Sequence, residues 1–172
     1  ITSSKLHHAY LFEGPDSVGK KTLATQLATM VTAPDADELC RKRISAGEYP
    51  DVWILEVKPP VDNTESLDIV NTETSSRDIP TTVIGKNVVS DVQNKANNTP
   101  FEGKANVFIF DLADNLGHVA SQRVLKLLEE PPPNVLLLLL SENPDAILPT
   151  IRSRCVSIRM EAMAVKDLEQ VL

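Results

Sequence analysis

The feature that most constrains the fold is a glycine-bounded loop that ends in lysine, residues 14–20, with the sequence Gly-Pro-Asp-Ser-Val-Gly-Lys. It follows the apolar run 9–12, and after it apolar residues recur at helical spacing from Leu23 to Val31. A strand, a loop of this kind and a helix make up a P-loop, whose backbone N–H groups and helix N-terminus surround a phosphate. The sequence therefore predicts an α/β fold organised around a phosphate-binding loop.

The residue after the loop lysine departs from the usual pattern. A P-loop continues with Ser or Thr, whose hydroxyl binds Mg²⁺. Here Lys21 occupies that position and Thr22 comes one residue later. Because the amide cradle remains while the metal ligand is missing, two interpretations stay open. Either Gly14, Gly19, Lys20 and their neighbours still bind ATP, weakly and with or without Mg²⁺, or the loop is a relict that binds nothing.

A second departure follows a later strand. Asp111 comes directly after the apolar stretch 106–110, where P-loop proteins hold Mg²⁺, often through water. In many members that hydrolyse nucleotide the next residue is Glu, but here it is Leu112, which cannot accept a proton. A simpler interpretation is that Asp111 and Asp114 cap a helix, and Asp114 is well placed for it. The changes at positions 21 and 112 both predict a chain that does not hydrolyse nucleotide.

Predicted strands and helices alternate along the chain. Five apolar stretches predict strands, at 6–12, 52–57, 106–110, 135–140 and 156–160. Helical patterns separate most of them, and the polar stretch 61–82 predicts a long surface loop with room for one short extended piece. This alternation predicts a three-layer α/β/α fold with a mainly five-stranded parallel sheet. Because ligands bind at the carboxyl ends of such strands, the P-loop, Asp111 and Asn143 are expected to converge on one site.

Composition restricts the partners and the compartment. The net charge of −7 argues against a nucleic-acid-binding face spread over the surface. The chain has two cysteines, Cys40 and Cys155, which argues against a disulfide scaffold or a four-cysteine zinc site and favours a reducing cytosol. The longest apolar run, 135–140, is too short to span a bilayer. We therefore expect a cytoplasmic protein with no membrane partner and no metal-binding residues of its own.

Basic residues occur in two short clusters. Arg154 lies in the segment 153–155, between a predicted helical turn and the last strand, and could act as an arginine finger on a phosphate bound by a neighbouring chain. Arg152 has a weaker claim to that role, and composition alone favours a surface arginine in a local ion pair. The cluster 41–43 is most simply a solvated face, with nucleic-acid contact as the minority interpretation. Residues 7–8, two histidines, fit a structural role better than a catalytic one.

Three motifs carry a resemblance to a known family. They are His-His-Ala-Tyr-Leu-Phe-Glu-Gly-Pro at 7–15, Val-Leu-Lys-Leu-Leu-Glu-Glu-Pro-Pro at 124–132 and Leu-Pro-Thr-Ile-Arg-Ser-Arg-Cys at 148–155. In this order, and over nearly the whole chain, they resemble the P-loop NTPase (AAA+) module of bacterial clamp-loader subunits of DNA polymerase III, in particular the delta-prime type. The pair of Leu-Glu-Glu-Pro-Pro and Ser-Arg-Cys is specific, whereas the P-loop alone would not be.

The resemblance implies a place in a pentameric assembly that opens the sliding clamp and places it on primed DNA. In that family the delta-prime subunit is a rigid stator that does not hydrolyse ATP, and its Ser-Arg-Cys arginine reaches ATP held by an adjacent gamma/tau subunit. That role is implied here for Arg154. The implied partners are the gamma/tau and delta subunits, the sliding clamp and primer-template DNA. The replacements at 21 and 112 resemble a non-hydrolysing member more than the gamma/tau motor.

The resemblance also implies domain limits, with an AAA+ core at 1–160 and the start of a helical lid domain at 161–172. Many relatives carry a four-cysteine zinc module after the first helix. Here Cys40, Gly47 and the segment 49–51 are similar to its tail but the other cysteines are absent, so zinc is not expected. Two other activities stay open: an active AAA+ ATPase motor of gamma/tau type, and a P-loop nucleotide kinase, for which no arginine-rich lid is found.

Overall fold

The structure is a computed structural model that describes residues 6–56, 82–83 and 92–161. In these residues strands and helices alternate as follows: β1 (Ala9–Glu13), α1 (Lys20–Thr32), α2 (Glu38–Ser45), β2 (Val52–Glu56), β3 (Thr82–Val83), α3 (92–96), β4 (Asn106–Asp111), α4 (His118–Glu129), β5 (Val135–Ser141), α5 (Pro149–Arg152) and β6 (Val156–Arg159).

The strands form one six-stranded sheet in the order β3-β2-β4-β5-β1-β6, and each adjacent pair is parallel. The predicted α/β fold with a parallel sheet is confirmed. The sixth strand, β3, was not among the five predicted strands, and its first residue, Thr82, falls at the end of the predicted polar loop. Since β3 has only two residues, no alternating pattern marks it in the sequence. Residues 61–81 of that loop lie outside the described residues.

Helices cover the sheet on both sides, so its central strands are buried on both faces. Side chains of β4 and β5 alternate between two apolar cores, as the two-residue period of a strand requires. One core packs α4 against Phe108, Phe110, Leu137 and Leu139. The other packs α1 and α2 against Val107, Ile109, Leu136, Leu138 and Leu140. Burial on both faces explains why these strands are continuous apolar runs in the sequence.

Helix α4 begins later than the sequence predicts. The expected N-cap, Asp114, is wrong: it lies in a 3-10 turn, Ala113–Asn115, and its carboxylate accepts a hydrogen bond of 3.3 Å from the N–H of Glu142. The N-cap of α4 is Gly117, with no side-chain cap. The extended backbone of Leu116 and Gly117, with ψ of 114° and 164°, separates the 3-10 turn from α4.

The segment before β6 was predicted to contain a helical turn, and the segment after it to begin a lid domain. The helical turn expected around 145–148 divides in the structure into a 3-10 turn, Pro144–Ala146, and the helix α5, which begins at Pro149. Proline suits the first helical position because its missing N–H would have no partner there. Apart from Glu161, the predicted start of a lid domain at 161–172 lies outside the described residues.

Gly14, the first glycine of the P-loop, is required by the sheet itself. A Cβ at this position would collide with the backbone carbonyl oxygen of Met160, directly after β6. The N–H of Met160 donates to the carbonyl of Glu13 over 2.7 Å, so the two segments are held together by backbone hydrogen bonding. Because a backbone carbonyl cannot rotate away as a flexible side chain can, this contact leaves no room for a side chain.

We predict that Gly14→Ala lowers the free energy of unfolding by about 1–3 kcal/mol, the usual cost of overpacking. The matched control is Gly117→Ala, since Gly117 has an ordinary φ of −64° and a Cβ there would meet nothing within 4 Å. Gly117 is the N-cap of α4, where Ala is less favourable than Gly by up to about 1 kcal/mol, and the lower entropy of the unfolded Ala chain offsets part of this, so the control should cost less than Gly14→Ala. Urea denaturation followed by circular dichroism measures both, and equal effects would contradict the close approach of Met160.

Candidate functional site

The P-loop has the strand–loop–helix order that the sequence predicts. The N–H of Gly14 donates to the carbonyl of Ser141 over 3.2 Å, so the loop starts beside the carboxyl end of β5. Ser17 and Gly19 take left-handed conformations, with φ of 62° and 89°, and α1 begins at Lys20. Because β4, β5 and β1 are adjacent and parallel, their carboxyl ends form one continuous edge. The loop and Asp111 therefore lie at the same edge.

The loop lysine is folded back onto its own loop. Lys20 is 7% exposed, and its ammonium donates to the carbonyls of Gly14 and Pro15 over 2.8 and 2.6 Å. Asp16 accepts from the backbone N–H of Ser17 over 2.7 Å and from its hydroxyl over 3.0 Å. In this structure the lysine and one loop amide, both phosphate ligands in a P-loop, are thus hydrogen-bonded within the loop.

The residue that replaces the metal-binding hydroxyl contacts the acid that would bind the metal. The Lys21 ammonium lies 3.0 Å from a carboxylate oxygen of Asp111, with the two side chains 45% and 21% exposed. Thr22 is exposed and lines, with Lys21, a cavity of about 590 Å³ that also borders α2. Mg²⁺ prefers a near-octahedral set of oxygen ligands. An ammonium at Asp111 and no hydroxyl at position 21 do not fit that ion.

No other metal site is evident in the described part of the chain. No group of three or more His, Cys, Asp or Glu side chains there is arranged to hold a metal ion. Cys40, the cysteine similar to the tail of a zinc module, is a free thiol on α2.

Leu112 holds a costly backbone conformation directly after Asp111. Its φ of 57° and ψ of 49° lie in the left-handed region, which costs a residue with a Cβ about 1–2 kcal/mol. Such strain is found most often where function once fixed or still fixes the backbone. The backbone directly after Asp111 is therefore strained, while the side chain of Leu112 carries no group that could take up a proton.

Ser141, the last residue of β5, lies near the P-loop and was not among the predicted site residues. Asn143, the expected participant, is exposed and does not cap the 3-10 turn that follows it. Ser141 instead lies at the edge: it is fully buried, its carbonyl accepts from Gly14, and its hydroxyl has no hydrogen-bond partner among the described residues. The signal in the sequence was one polar residue ending a run of five leucines.

Arg154 lies at the surface in the turn between α5 and β6. One guanidinium nitrogen is 3.0 Å from Glu129, and another donates to the carbonyl of Thr150 over 2.9 Å. The side chains of Arg154 and Glu129 are 38% and 47% exposed. Glu129 belongs to the Leu-Glu-Glu-Pro-Pro motif, so the two most specific motifs of the sequence contact each other. Arg152, the weaker candidate, pairs with Asp145 over 2.9 Å.

The side chain of Cys155, the residue after Arg154, faces the interior of the domain. Cys155 packs against the core that α4 covers, and burial raises the pKa of its thiol to about 12. The thiol is therefore protonated at neutral pH and acts as a small apolar side chain. Cys155 anchors the turn from inside while Arg154 stays at the surface.

The basic cluster on α2 is paired within the chain. Arg43 donates two hydrogen bonds to Glu102, Lys42 pairs with Glu38 over 2.9 Å, and Arg41 donates to the carbonyl of Ala36. These partners agree with a solvated face. Within the described residues, no helix combines the length and the apolar character that crossing a bilayer requires.

Comparison with known proteins relates this arrangement to a family. A family model described as DNA polymerase III, delta subunit matches residues 1–164. The delta' subunit of Bacillus subtilis is 28% identical over all of this chain and 47% of its own length, and that of Pseudomonas aeruginosa 29% identical over 87% and 42%. The tau subunit of Escherichia coli is 26% identical over all of this chain and 24% of its own length. The chain thus spans less than half the length of these relatives.

Solved structures support the fold. A DNA polymerase III gamma subunit-related protein of Thermotoga maritima superposes with a TM-score of 0.61 at 20% identity, over 96% of this chain and 44% of that one. RuvB of the same organism superposes with a TM-score of 0.51 at 12% identity, over 95% and 41%. These likenesses place the fold among AAA+ P-loop proteins. With the family model spanning nearly its whole length, this chain belongs to the delta-prime-type clamp-loader family of DNA polymerase III.

Proposed function

We propose that this chain is a clamp-loader stator: it hydrolyses no ATP itself and supplies Arg154 to ATP bound by a neighbouring subunit. The observation that carries the proposal is the ion pair at the P-loop site, where Lys21 stands in place of the metal-binding hydroxyl and contacts Asp111. Arg154 lies in a surface turn, where its contacts with Glu129 and Thr150 are half-exposed. Its partners in this proposal are the gamma/tau and delta subunits, the sliding clamp and primer-template DNA, all in the cytoplasm. Residues 1–160 are the AAA+ core and 161–172 begin the lid domain.

Three features of the site argue against hydrolysis by this chain. Lys21 replaces the hydroxyl that would bind Mg²⁺, and its ammonium pairs with Asp111. Leu112 cannot accept a proton from an attacking water. The alternative is an active motor of gamma/tau type. We retain it because the tau subunit of Escherichia coli is 26% identical to this chain and the delta' subunit of Bacillus subtilis is 28% identical.

Steady-state ATPase activity decides between the stator and the motor. We predict that the protein alone turns over ATP no faster than its Lys20→Ala variant, with Mg²⁺ present, because the metal ligand and the general base are both missing. The gamma/tau type of subunit, assayed in parallel, serves as the positive control. Turnover that Lys20→Ala abolishes would establish the motor and remove the stator from consideration.

The surface ion pair of Arg154 suits a residue that must change partners. Ion pairs between half-exposed side chains contribute only about 0–1 kcal/mol, because water competes for both charges. A charge-assisted, bidentate contact with phosphate is much stronger, and in phosphoryl transfer an arginine finger raises the rate by about 10³–10⁵-fold. Release from Glu129 therefore costs little in comparison with what the arginine gains at a neighbouring nucleotide.

Removal of the guanidinium tests the finger directly. In a loader reconstituted with the full-length protein, we predict that Arg154→Ala lowers ATP hydrolysis at the adjacent site by on the order of 10³-fold. The matched control is Arg152→Ala, which removes an equally exposed arginine, ion-paired to Asp145, two residues earlier. Single-turnover hydrolysis measures both variants. If the two variants behave alike, or if Arg154→Ala leaves the rate unchanged, Arg154 is not a finger.

The strength of the ion pair between Arg154 and Glu129 gives a separate prediction. A double-mutant cycle with Arg154→Ala and Glu129→Gln should give a coupling energy of about 0.2–1 kcal/mol in the free energy of unfolding. Chemical denaturation of the four proteins provides the values. A coupling above about 2 kcal/mol would mean that Arg154 is locked to its own subunit, and this would count against its use by a neighbour.

A further inference from the structure

We propose that Lys21 takes the place of the divalent cation at this P-loop, so that the site accepts no Mg²⁺ and needs none. The inference concerns the charge at Asp111 and does not depend on the role of Arg154. It rests on the position of Lys21 in the loop sequence, on its contact with Asp111, and on the elements that hold the two residues together.

The two residues belong to rigid elements. Lys21 is the second residue of α1, and Asp111 is the last residue of β4. Helix α1 packs through Ala24 and Ala28 on the sheet core that contains Val107 and Ile109 of β4. The start of α1 is therefore held close to the end of β4, and the ammonium reaches the carboxylate at 3.0 Å.

One replacement removes two metal ligands. The Ser or Thr hydroxyl is lost from position 21, and the carboxylate that would bind the metal, directly or through water, is occupied by an ammonium. Mg²⁺ bound directly to Asp111 would lie about 2.0–2.1 Å from a carboxylate oxygen. It would then stand within a few ångströms of the Lys21 charge, and like charges at such distances repel strongly. A metal at Asp111 would have to displace the ammonium, and it would then still lack the hydroxyl ligand that position 21 no longer provides.

The replacement keeps the local charge balanced. In a P-loop the metal stands between the acid and the phosphates and neutralises both. Here a single positive charge neutralises the single negative charge of Asp111, and the side chains are open enough to water for the pair to form at little cost. Any phosphate held by the loop amides is therefore held without a divalent cation. Leu112 agrees with this, because a site without the metal has no use for a general base beside it.

Binding of Mn²⁺, a paramagnetic substitute for Mg²⁺, tests the proposal without relying on catalysis. Titrations of the intact protein are followed by electron paramagnetic resonance, with and without ADP. Each of the wild type, Lys21→Thr and Lys21→Met is compared with the same protein carrying Asp111→Asn. The difference within each pair isolates the ion at Asp111 from ions bound elsewhere on the acidic surface. Lys21→Met is the matched control, since it removes the ammonium without offering an oxygen.

We expect wild-type protein to bind Mn²⁺ identically with and without Asp111→Asn. Lys21→Thr should gain one Mn²⁺ in the presence of ADP, at least tenfold tighter than in its Asp111→Asn partner, and Lys21→Met should gain less. An Asp111-dependent Mn²⁺ in the wild type would overturn the proposal, and that comparison needs no Lys21 variant. A Lys21→Thr protein that melts as a folded protein and gains no Mn²⁺ would overturn it as well.

Discussion

The burial of β4 and β5 on both faces is the constraint from which the rest of the structure follows. Their side chains fill two cores, one under α4 and one under α1 and α2, and the backbone ladders pair Glu13 with Ser141 and Phe110 with Leu139. Because the register is fixed, the residues at the carboxyl ends of the strands are fixed too. Asp111, Ser141 and Gly14 meet at one edge for this reason, independently of any ligand.

At that edge the chain provides its own counter-charges. Lys20 bonds to carbonyls of its loop, Lys21 to Asp111, and Asp16 to an amide of Ser17. In an active nucleotide site those groups would be left for phosphate and metal.

The sequence predicts the parts of this molecule that depend on local pattern. The P-loop, the central strands and the side chains missing at positions 21 and 112 can be read directly, because spacing and residue type carry them. It does not predict contacts set by tertiary packing. Nothing local shows that Lys21 meets Asp111 or that Glu129 meets Arg154, since these pairs are distant in the chain. The cap at Asp114 failed because the extended backbone of Leu116 and Gly117 separates its 3-10 turn from α4, and β3 could not be located because two residues hold no periodicity.

Cys155 and Arg154 are adjacent residues that lie on opposite sides of one turn. Cys155 is partly buried against the core that α4 covers, and backbone hydrogen bonds from Arg154 to Ile151 and from Cys155 to Arg152 close the turn. The guanidinium of Arg154 extends from that turn into water, where its contact with Glu129 is weak because both charges are hydrated. If the contact with Glu129 is broken, the side chain of Arg154 can therefore move while the turn stays in place. The arginine finger proposed above would use this combination, because a neighbouring subunit could capture the guanidinium while the turn that carries it keeps its backbone contacts.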